Sequence, residues 1–61
     1  MTWFQLLNAK WPDLIVRYPF LRRYFELGFE LDATHHADNR LAIRSRNQDL
    51  MVDLETGELV A

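Results

Sequence analysis

No cysteine occurs in this chain. Disulfides and thiolate metal sites are thereby excluded, and a cysteine-free chain suits a reducing compartment, so a cytoplasmic setting is the expectation. Glycine is nearly as scarce, with Gly28 and Gly57 the only two. A glycine-rich loop to cradle phosphate therefore cannot be assembled. No apolar run approaches the roughly 18 residues that a membrane-spanning helix needs. The first basic residue is Lys10, and no apolar stretch precedes a small-residue cleavage site, so the chain reads as a complete protein without a secretory leader. Repeats, low-complexity tracts and linkers are lacking too, and 61 residues are expected to make one domain, residues 1–61.

What is present is aromatic and unevenly charged. Aromatic residues make up 13% of the chain, two tryptophans among them, enough for a dense core. The net charge of −2 conceals an asymmetry. Residues 1–25 carry Lys10, Arg17, Arg22 and Arg23 against Asp13, a surplus of three positive charges. Residues 26–61 carry eight acids against Arg40, Arg44 and Arg46, a surplus of five negative charges.

The spacing of apolar residues changes at the same place. Thr2 and Gln5 stand at the spacing of a capping box. Wound as a helix, residues 3–11 place Trp3, Phe4, Leu6, Leu7 and Trp11 on one face. Pro12 ends that helix or opens the next, and a second helical stretch runs to Leu27, with Gly28 as a left-handed cap. Pro19 predicts a kink or break at Tyr18. Leu14, Tyr18, Leu21 and Phe25 form the expected core stripe. Val16, Phe20 and Leu27 make a second apolar row, with Tyr24 between the two.

After Gly28 the apolar period falls to two, which predicts half-buried antiparallel strands. A five-residue loop, His35 to Asn39, pairs Ala33 with Leu41, Leu31 with Ile43 and Glu30 with Arg44. A turn at Asn47-Gln48 pairs Ile43 with Val52, Leu41 with Leu54 and Arg40 with Glu55. A three-residue loop with Gly57 in the left-handed region sets Val60 opposite Val52. The fold class is α+β, with a kinked helix or two short helices (residues 1–28) on one face of a three- to four-stranded antiparallel meander (residues 29–61).

The function classes narrow accordingly. The carboxylates alternate along a solvent face rather than forming an acid and base pair, Ser45 is expected to point inward, and Thr2 to cap a helix, so no enzyme is expected. Asp32, His35, His36 and Asp38 share one hairpin, but the adjacent histidines diverge in extended chain, so no metal or cofactor is expected and the loop is read as solvated. Arginines interleaved with aromatics also suit nucleic acid, as an alternative that the acidic second half opposes. The expected function is a small non-enzymatic interaction module, docking on a larger protein as inhibitor, adaptor or regulator, or on itself as a homodimer. The interface assigned is Arg17, Phe20, Arg23, Tyr24 and Leu27, because aromatics and arginine concentrate at protein interfaces.

Overall fold

The computed structural model describes residues 1–60. Thr2 does open a helix, α1 (Trp3–Leu7). Its hydroxyl oxygen accepts from the Gln5 N–H at 3.3 Å while the Gln5 side-chain oxygen accepts from the Thr2 N–H at 2.8 Å. The helix stops at Leu7 rather than continuing to Trp11, because Asn8 caps it and its amide donates back to the Phe4 carbonyl. Leu6 is the side chain α1 buries; Trp3 and Trp11 are half-buried and Phe4 is exposed. Pro12 opens a separate helix, α2 (Trp11–Arg17), in the first turn, where its missing N–H costs nothing.

Pro19 breaks the chain, as its ring requires. Tyr18 before it is extended, with φ −130°, and a 3-10 turn (Pro19–Leu21) leads into α3 (Arg22–Glu26). This break overturns one expected core position. A 3-10 turn advances about 120° per residue against about 100° in an α-helix, so the stripe from Leu14 does not run on in phase. Leu14 and Leu21 are fully buried, but Tyr24 takes the inward position and Phe25 turns out.

The end of α3 fixes that choice. Gly28 sits at φ +88°, its N–H donates to the Phe25 carbonyl, and the Phe29 N–H reaches back to the Tyr24 carbonyl, both at 3.1 Å. This pair of hydrogen bonds at a helix end brings the flanking residue against the helix's last inward side chain. The Tyr24 and Phe29 rings accordingly meet edge-on, centroids 5.8 Å apart.

The remaining chain is a four-stranded antiparallel sheet in meander order: β1 (Glu30–Leu31), β2 (Arg40–Arg44), β3 (Asp49–Asp53) and β4 (Leu59–Val60). The fold is α+β. Leu41, Ile43, Val52 and Leu54 from the sheet share one core with Leu6, Leu14, Leu21, Tyr24 and Phe29. The β1–β2 register is the expected one, Glu30 opposite Arg44 and Leu31 opposite Ile43. It ends sooner, since Ala33 is exposed and does not pair with Leu41; Asp32 instead accepts the Thr34 N–H in a turn at 3.1 Å. The hairpin closes through a bridge between Ala37 and Arg40, with Asn39 at φ +58°.

Two hairpin registers differ from expectation. Ile43 faces Leu50, Leu41 faces Val52 and Arg40 faces Asp53, so β3 is displaced by two residues. A slip of two leaves each side chain on its own face. The turn falls at Arg46-Asn47, closed by the Ser45 N–H on the Gln48 carbonyl at 2.8 Å. This register sets Asp49 opposite Arg44 and Asp53 opposite Arg40, so both outward cations of β2 gain a facing acid.

At β4 the displacement is one residue: Leu59 faces Val52, and Val60 faces Met51. That odd slip turns Val60 to the outer face. Its cause is Asp53, whose carboxylate accepts the N–H groups of Glu55 and Thr56 at 2.8 and 3.3 Å and widens the loop to residues 54–57. Gly57 holds the left-handed conformation there, φ +76°. A methyl group at Gly57 would lie 3.5 Å from the Phe20 ring, an ordinary contact. Gly57→Ala is therefore expected to cost about 1–2 kcal/mol through the backbone alone, read as a lower urea midpoint at unchanged slope.

Candidate interaction surface

The assigned interface residues come from three consecutive pieces of the helical layer. Arg17 ends α2, Phe20 lies in the 3-10 turn, Arg23 and Tyr24 are in α3, and Leu27 caps it. Four of the five reach solvent: Arg17 and Arg23 are exposed, Leu27 is 69% exposed and Phe20 38%. Tyr24 does not, being 9% exposed against Phe29, so its place among the surface residues is corrected. Phe25 takes that place at 50% exposure, its ring resting against Trp11 with centroids 5.8 Å apart. Val16 on α2 is more exposed still.

Phe20 is the best anchored of the exposed rings. It lies beside Gly57 on the β3–β4 loop and tilts against Tyr18 at 6.0 Å. Phe20 thus joins the helical layer to the sheet while leaving part of its ring in water. The charges nearby are unevenly satisfied. Arg22 pairs with Glu26 at 3.0 Å, one turn on along α3, with both side chains exposed. Such a pair contributes only about 0.3–0.5 kcal/mol. Arg17 and Arg23 form no ion pair among the described residues.

A second polar cluster lies at the end of β1. The Asp32 carboxylate is buried and accepts from the Thr34 hydroxyl at 2.6 Å, the Thr34 N–H at 3.1 Å and the His35 Nδ1–H at 3.0 Å. Arg44 approaches it at 3.6 Å, and the same guanidinium lies 3.6 Å from the Asp49 carboxylate. The Thr34 hydroxyl hydrogen bond is the main cause that holds Asp32 below its ordinary 3.8; burial opposes it, and the Thr34 N–H, Arg44 and His35 add to it. A lowered carboxyl pKa stabilises the fold above the unfolded value and loses that contribution as pH falls through the folded one.

The reading of this loop as solvated holds for His35 and fails for His36, which is 5% exposed. Its Nδ1 accepts the Ala42 N–H at 2.9 Å. No three histidine, aspartate or glutamate side chains come together as metal ligands among the described residues. Beside Asp32 and His35, the outer face of the sheet dips over Ala42, Met51 and Val60, which stand side by side on β2, β3 and β4. The alternation reading treated this face as polar; Ala42 and Met51 at outward positions were the available signal.

No protein-family model, curated protein or solved structure matches the chain. No helix among the described residues is long and apolar enough to cross a membrane.

Proposed function

We propose that this chain is a small non-enzymatic interaction module, working in the cytoplasm, that docks its helical layer onto a partner protein with an apolar centre and an acidic rim. The observation that carries the reading is that one helical layer presents Phe25 and Leu27 to solvent together with Arg17 and Arg23, which form no ion pair among the described residues. Exposed apolar side chains of this size are the usual currency of protein contacts, and rim charges speed encounter with a surface of opposite sign. A polyanion is the less suited occupant. Arg44 is engaged by Asp32 and Asp49, and the net charge of −2, with eight acids in residues 26–61, opposes a polyanion.

The test compares wild type with Phe25→Ala and Leu27→Ala by affinity capture from the native host, followed by titration of the purified captured protein. Each substitution is expected to leave the melting curve nearly unchanged and weaken binding about 5- to 150-fold where the residue is a hot spot. Equal affinity for wild type and both variants would refute the surface assignment. Light scattering that shows a dimer dissociated by the same substitutions would identify the partner as a second copy. Binding to nucleic acid with a steep salt slope, unaffected by Phe25→Ala, would favour the alternative.

A further inference from the structure

The ladder between β1 and β2 runs on to Asp32, whose N–H donates to the Ala42 carbonyl at 2.9 Å. The N–H of Ala42 does not return that bond to Asp32 among the described residues. It donates instead to Nδ1 of His36, so an imidazole serves as the next rung of the sheet. An Nδ1 that accepts carries no proton, which places the ring's single proton on Nε2. Nε2 is buried and has no hydrogen-bond partner among the described residues.

The loop that carries His36 also ties down the amino-terminal segment. Asp38 accepts the Trp3 N–H at 2.7 Å, at the first turn of α1. Asn39 accepts from the Met1 ammonium at 2.8 Å and donates its own N–H to the Met1 carbonyl at 3.1 Å. The Asn39 carbonyl accepts the Leu54 N–H at 2.8 Å, which joins the same loop to the end of β3. Through these bonds α1 is seated with Leu6 in the core.

We propose that His36 is an acid-sensitive latch, whose protonation frees the 32–39 loop from β2 and undocks α1 from the sheet. A second proton on the ring must go to Nδ1, where it would confront the Ala42 N–H, donor against donor. The imidazolium would also be buried with Nε2–H still unsatisfied, the combination that proteins avoid most strongly. The charged group acting on the ring is Asp32 at the end of β1, which favours the imidazolium but is already held by Thr34, His35 and Arg44. On the α1 side, the Met1 ammonium and Asp38 are engaged with Asn39 and Trp3. On β2, Arg40 and Arg44 flank Ala42 and oppose a further positive charge.

Burial outweighs Asp32 and pushes His36 below its ordinary 6.5. The docked state therefore has its full stability above that value and loses it progressively as pH falls below it, toward the lowered folded value. What acid exposes is Leu6 and the core it covers, a surface distinct from Phe25 and Leu27.

The test is methyl NMR of the intact chain between pH 7.5 and 5, following Leu6 and Val52. Leu6 is expected to move toward its unfolded position with one-proton dependence, at most about tenfold in population per pH unit, while Val52 stays. His36→Asn keeps an acceptor near the Nδ1 position without a titrating group and is expected to abolish the response; His35→Ala is expected to retain it. A response that survives His36→Asn would overturn the latch, as would one that Leu6 and Val52 share, or a Leu6 signal constant over the range. Should His36→Asn not fold, the His36 ring resonance of the wild type decides. Its midpoint must coincide with that of Leu6, and a mismatch sinks the proposal.

Discussion

Replacing Ile43 by alanine is expected to cost about 2–5 kcal/mol, the range for truncating a buried isoleucine. The side chain is almost fully buried, in the middle of β2, between Leu31 on one neighbouring strand and Leu50 on the other. Alanine would leave a hole that rigid ladders on both sides cannot close. A domain of this size is held by only about 3–9 kcal/mol, at roughly 0.05–0.15 kcal/mol per residue. The variant is therefore expected to lose a large share of its stability. Urea titration followed by circular dichroism measures it; a loss below about 1 kcal/mol would mean that Ile43 does not face the core.

Tyr24→Ala is expected to have the other large effect, about 3–5 kcal/mol, as for a buried aromatic. Its ring packs edge-on against Phe29, and its carbonyl anchors the Phe29 N–H where α3 gives way to the sheet. Removing the ring loosens the joint between the two layers as well as emptying core volume. Phe25→Ala, one residue on, is expected to cost much less, because half of that ring is already in water and its contact is with Trp11. The comparison is direct, since the two positions share a helix. Equal losses would show that both rings are structural and would remove Phe25 from any docking surface.

These neighbours also show where the amino-acid sequence was legible and where it was not. Alternation after Gly28 placed Leu41, Ile43, Val52 and Leu54 inside and Arg40 and Arg44 outside, because sheet faces depend only on parity, and the displaced β2–β3 register preserves parity. The capping box at Thr2 and the break at Pro19 are local, so residue type and spacing suffice. Tyr24 and Phe25 were exchanged because a helical stripe depends on accumulated angle, and the 3-10 turn altered it. Val60 was misplaced because the Asp53 carboxylate added one residue to a loop, a side-chain effect that alternation does not contain. Of the assigned surface, Arg17, Phe20, Arg23 and Leu27 do face solvent to differing degrees. The inward turn of His36 is not legible, because adjacent histidines in a polar loop carry no mark of which one turns inward.

The bond between Met1 and Asn39 spans 38 residues, whereas the β3–β4 hairpin closes over four, residues 54–57. Closing the longer loop first costs about 2 kcal/mol more in chain entropy. The meander needs none of that, since each strand pairs with its neighbour in sequence. Zipping of the hairpins and short helices is therefore the expected fastest route, with α1 arriving last; pulsed hydrogen exchange that protects Leu6 before Val52 would contradict it. On that order α1 is the final clasp of the domain, and the first element expected to come undone.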